Sequence, residues 1–218
     1  MNSRSLTAWL GLAACSLLAA CALFSKAAPL EPRYFTPEDG ATAAVQRVAA
    51  QPASSENRQL RLGSVRGSSQ LRERIVFRDS AHERGYYEDR RWTERPEAYL
   101  RRALARALFE ERGLVRVVSG VGPTLEAELV AFEELRAPEH SVRVQVIITL
   151  DDDRTASLEE TISVEQRVSP NAQDDAEATV AALASALQKC VAQIAERVVL
   201  QLGAAAVGRA PAPSEVQP

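Results

Sequence analysis

Three patterns in this chain predict an α+β fold, a mainly antiparallel sheet with two helices packed on one face. Val142, Val144, Val146, Ile148 and Leu150 alternate with mostly polar residues, the two-residue period of a half-buried strand. Val180, Leu183, Leu187, Val191, Ile194, Val198 and Leu202 recur at steps of three and four, a single stripe on a helix. Tyr99, Leu100, Ala103, Leu104, Ala107 and Leu108 repeat that helical spacing earlier in the chain. Stripes about a hundred degrees wide need an apolar surface to cover, and the strands supply it.

In chain order, the first element is not part of the fold. Arg4 precedes an apolar run from Leu6 to Leu18, and Leu18-Ala19-Ala20-Cys21 follows, small side chains directly before a thiol. A peptidase needs small residues just before its cut, and a thiol at the new N-terminus can carry a diacylglyceryl group and then an amide-linked acyl chain. The pattern resembles the bacterial lipoprotein lipobox, so residues 1–20 read as a signal peptide and Cys21 as the lipidated residue. Leu12-Ala13-Ala14-Cys15 has the same form, but the apolar region ahead of Cys15 is too short. A retained membrane span is the competing reading; the run is rich in Ala, Ser and Gly and barely long enough for a core of roughly 30 Å. Acyl chains contribute about 0.8 kcal/mol per buried CH₂, so three on Cys21 would hold the protein stably on a phospholipid membrane. Ala22 rather than Asp after the cysteine implies, by resemblance to the sorting rule, the outer membrane.

Residues 21–56 are rich in Ala, Pro, Ser and Gln and read as a lipidated tether, interrupted at Arg33-Tyr34-Phe35 by a short edge strand. The domain is placed at 57–202. Gln59 to Gly67, Ile75 to Arg78 and Tyr86-Tyr87 through Trp92 have strand character, with a hairpin turn expected around Gly85. Thr93 and Pro96 open the first helix and Gly113 closes it. Leu125, Ala127, Leu129 and Ala131 are expected on one face of a strand. The Val142–Leu150 run and then Leu158, Ile162 and Val164 complete an antiparallel meander before the closing helix. Residues 203–218 end in Ala, Pro and Ser and are expected to be a disordered tail.

Chemistry is hard to find. The only histidines, His82 and His140, have no positioned partner visible in sequence, and His82 falls in a polar turn. Ser119-Gly120-Val121-Gly122 is neither a nucleophile elbow nor a phosphate loop and reads as a turn. Asp151-Asp152-Asp153 lacks the spacing and glycine of a calcium loop and reads as a solvated hairpin end. Once Cys21 is lipidated and Cys15 removed, Cys190 remains alone on the apolar face of the closing helix, filling space. No catalytic residue, metal site or cofactor is expected, and the chain is read as no enzyme.

Charge is unevenly spread. The whole chain carries 26 basic and 29 acidic residues, and loss of Arg4 leaves 25 − 29 = −4. Residues 61–106 instead carry twelve arginines against seven acids, 12 − 7 = +5. Arginine pairs bidentately with phosphate and carboxylate, so this segment is expected to meet lipid head groups or an acidic partner. Arg84, Arg90, Arg91, Trp92 and Arg95 are the candidate contacts; the competing readings are a solvated face crossed by local ion pairs for the arginines and, for Trp92, a core residue capping the helix against the sheet. An export signal argues against a nucleic-acid partner.

Ile75-Val76-Phe77-Arg78, Tyr86-Tyr87 and Arg91-Trp92-Thr93-Glu94-Arg95-Pro96 before a helix resemble the ABC-type transport auxiliary lipoproteins. The likeness spans the lipobox, Tyr34, the segment to Trp92, the meander and the closing helix. It is similar to the lipoprotein component of the paraquat-inducible, mammalian-cell-entry type of intermembrane lipid transport system. The resemblance implies a periplasm-facing, non-enzymatic subunit docked on a protein with the mammalian-cell-entry domain and, through it, on an ABC permease and ATPase. It leaves room for a homo-oligomeric ring. The alternative from another class is a tethered lipoprotein activator of a peptidoglycan-synthesising enzyme; a tether as short as residues 22–56, with a strand in it, disfavours that role.

Overall fold

The computed structural model describes residues 30–38, 59–120, 122–152, 155–169 and 175–208. Cys15, Cys21, the signal peptide, most of the tether and residues 209–218 lie outside the described residues. Among the described residues, eight strands form one mixed sheet. They are β1 Arg33–Phe35, β2 Gln59–Gly67, β3 Arg74–Arg78, β4 Arg84–Trp92, β5 Val115–Arg116, β6 Thr124–Leu135, β7 Ser141–Asp152 and β8 Thr155–Arg167. Helix α1 runs from Pro96 to Ala105, continues through a π-helical turn Arg106–Glu111, and helix α2 spans Asp175–Gly208.

The meander is β6, β7 and β8, antiparallel throughout. Around it the sheet becomes mixed. β2 and β3 both lie parallel to the same edge of β6, β2 along Thr124 to Leu129 and β3 along Glu133 to Leu135. They follow one another along that edge, parted by a loop whose Ser68 N–H donates to Leu129 O at 3.0 Å. β4 then pairs antiparallel with β3, and β1 runs parallel to the last residues of β4. The edge strand expected at Arg33-Tyr34-Phe35 is therefore part of the sheet, held also by the Thr93 N–H donating to Phe35 O at 3.0 Å.

The stripe expected on the closing helix is buried from Val180 to Leu202, with Leu183, Ile194 and Val198 at 0% exposure. It packs mainly on β7 and β8, whose Val142, Val144, Val146 and Ile148 are also at 0%. α1 covers β2 and β6 on the same face through Tyr99, Leu100 and Leu104. Pro96 opens that helix, where its missing N–H is lost to no partner. The π turn shows in the Arg112 N–H donating five residues back to Ala107 O, and Gly113 at φ 64 ends it.

Three expectations are corrected. Gly85 is not in the turn, which falls at residues 79–83; it sits inside β4 opposite Phe77, and the ring occupies the space any Cβ there would need. Ala131 does not share a face with Leu129: the register shifts between them, so Phe132 takes the helix side opposite Val144. The closing helix runs on through Gly203 to Gly208, because an alanine-rich end extends a helix at almost no propensity cost.

Candidate functional site

The arginines of the basic segment do not converge on one spot. Strand pairing sends them to different faces and partners. Arg84 joins Arg78 and Arg143 around Glu133, a carboxylate only 1% exposed. Arg78 Nε donates to one oxygen at 3.2 Å, Arg143 donates a short bond to that same oxygen, and Arg84 Nε forms an ion pair with the other at 3.3 Å. Burial opposes the Glu133 charge, but the hydrogen bonds from Arg143 and Arg78 outweigh it and hold the carboxyl below its ordinary value. This cluster lies on the sheet face opposite the helices, since Glu133 shares a row with Arg143 while the flanking Val142 and Val144 face α2.

Arg90 stacks over the Tyr87 ring at 4.0 Å. Arg95 precedes the first helical turn, exposed, with its guanidinium 4.0 Å from Glu97. Trp92 is 1% exposed, packed on Phe132 and Tyr99 at ring distances of 5.1 and 6.2 Å. That burial removes Trp92 from the candidate contacts and makes it the residue on which α1, β4 and β6 close. Arg91 shares a cross-strand row with Tyr34 and Arg74.

A second polar group escaped the sequence reading. Tyr87 OH donates to Glu134 at 2.7 Å, and the other Glu134 oxygen meets His140 Nε2 at 2.6 Å. His140 Nδ1 lies 3.6 Å from Asp175 at the start of α2. Burial first, and then Glu134, push the Tyr87 hydroxyl above its ordinary pKa. Donor atoms of Glu134, His140 and Asp175 fall within 4.8 Å of one another. The 2.6 Å spacing, however, is that of a hydrogen bond, shorter than the roughly 3.3 Å between two ligands on a metal with bonds of about 2.0–2.1 Å. The group is best described as a polar chain tying β4, β6 and α2. Tyr87, Glu134 and Asp175 stand far apart in sequence, and His140 follows Glu134 by six residues across a turn, so no spacing motif announces it.

The remaining candidates keep bland roles. His82 is exposed in a turn whose Ser80 Oγ accepts from the His82 and Glu83 amides at 3.3 and 3.1 Å. Gly120 adopts φ 101 in the loop before β6. Asp151 and Asp152 end β7, while Asp153 lies outside the described residues. Burial pushes the Cys190 thiol up to about 12, so it is un-ionised and inert at neutral pH.

A family model described as the ABC-type transport auxiliary lipoprotein component matches residues 42–195. A solved Xanthomonas campestris protein of the DUF330 family is 18% identical, with a TM-score of 0.59 over 69% of this chain and 88% of its own. A solved uncharacterised protein is 19% identical, with a TM-score of 0.54 over 65% and 92%. Both likenesses speak for the fold alone. No curated relative matches the chain.

Proposed function

Because the chain belongs to the family of ABC-type transport auxiliary lipoprotein components, we propose that it is the lipid-anchored, periplasm-facing subunit of a mammalian-cell-entry-type lipid transport system. In this reading it binds and positions, and does no chemistry. Membership of the family makes it a membrane-anchored envelope protein, and in this reading the anchor is Cys21 in the outer membrane, supported by the lipobox-like Leu18-Ala19-Ala20-Cys21 and by Ala22 after it. The family is not an enzyme family. The observation that carries the proposal is the match over 42–195. The partner named by this reading is the mammalian-cell-entry-domain protein and, through it, the permease and ATPase.

Labelling cells with a radioactive fatty acid tests the anchor. The natural chain and a Cys15→Ala variant are expected to take up label equally, and Cys21→Ala none. Normal labelling of Cys21→Ala would remove the anchor from this residue.

A further inference from the structure

Strand register sets arginine directly against arginine three times in one corner of the sheet. Arg33 pairs with Arg90 across β1 and β4, and Arg74 with Arg91 and Arg78 with Arg84 across β3 and β4. Like charges opposite one another weaken a sheet. Glu133 offsets the Arg78 and Arg84 pair, while Arg33 and Arg90 lie against the rings of Phe35 and Tyr87. Arg74 and Arg91 have neither an ion pair nor a ring partner among the described residues. Tyr34 continues their row and is 62% exposed. The adjacent row of Phe35 and Trp92 packs into the core, so Tyr34, Arg91 and Arg74 point away from the helices.

We propose that this row docks on the anionic phospholipid headgroups of the bilayer that carries the anchor. The inference rests on the reading of Cys21 as the lipidated residue. A guanidinium fork matches two phosphate oxygens, and a tyrosine is at home where an apolar layer meets water. Arg33 stands twelve positions after Cys21, a span of at most roughly 40 Å at 3.3–3.6 Å per residue. So short a tether makes docking an intramolecular event at an effective concentration on the order of millimolar. Weak single contacts then suffice, and the repulsion stored between Arg74 and Arg91 is relieved by a phosphate placed between them.

The test uses the lipidated full-length mature chain carrying Tyr34→Trp, reconstituted into vesicles of brominated phosphatidylcholine with or without one-quarter phosphatidylglycerol. Flotation with the vesicles reports the anchor, and quenching of the new tryptophan, after subtraction of the unsubstituted chain, reports docking. Strong quenching is expected with phosphatidylglycerol, little without it, and less at high salt. At about fivefold per basic residue near an anionic surface, Arg74→Gln with Arg91→Gln lowers the docked-to-undocked ratio roughly thirtyfold, with flotation unchanged and the thermal melt no lower than that of the natural chain. Equal quenching in both lipids, or quenching indifferent to the double substitution, overturns the proposal. So does loss of a protein partner in the double variant with quenching intact, which would give the row to an acidic protein surface. Failure to float would instead strike at the anchor.

Discussion

Leu187→Asp is expected to abolish the cooperative thermal transition of the domain. Leu187 is 4% exposed at the middle of the α2 stripe, with Leu183 and Val191 beside it. A carboxylate there has no cation to pair with inside the apolar layer between α2 and the sheet. Burying it unpaired costs several kcal/mol or forces the helix off the sheet, against a total stability of roughly 5–15 kcal/mol for an ordinary domain. Circular dichroism during heating reads the outcome. A melt like that of the natural chain would mean that the stripe does not pack on β7 and β8.

The second large effect belongs to Glu133. Removing one member of a buried charge cluster leaves the others uncompensated, and three arginines surround this carboxylate, so Glu133→Gln is expected to cost about 3 kcal/mol at neutral pH. The pH dependence has a definite sign. A carboxyl held below its ordinary value when folded stabilises the fold fully above the unfolded value of roughly 4.3, and that stabilisation disappears as pH falls through the lower folded value. Denaturant melts of the two proteins should therefore lie far apart at pH 7 and approach one another below about pH 4. A constant gap across that range would mean that Glu133 contributes by shape rather than by charge.

Much of this architecture is legible in the sequence because periodicity is a local signal. The boundaries Gln59 to Gly67 are met by β2 residue for residue, the Val142 to Leu150 alternation is buried as written, and the α2 stripe faces the sheet. What was misread depends on distant partners. Gly85 resembles a turn residue in isolation, and only the Phe77 ring across the strand pair shows why glycine stands there. The shift after Leu129 is set by pairing with β7, which no pattern within β6 records. The same holds for the candidate contacts. Counting arginines located the basic segment, but only the register separates Arg84, spent on Glu133, from Arg91, left beside Tyr34 and Arg74. Trp92 is core, the role that its place between a strand and the first helix favours over contact with a partner. Glu133 and Glu134 carry no motif at all; adjacent in sequence, they face opposite sides of one strand and serve two separate polar groups.

Affinity purification of the lipidated chain from its own membranes in a mild detergent, with every co-purifying protein identified by mass spectrometry, tests whether it is a transporter subunit. A mammalian-cell-entry-domain protein is expected in defined stoichiometry, with an ABC permease and ATPase recovered through it. Recovery of a peptidoglycan-synthesising enzyme instead, with no transporter component in the eluate, would contradict a role in lipid transport.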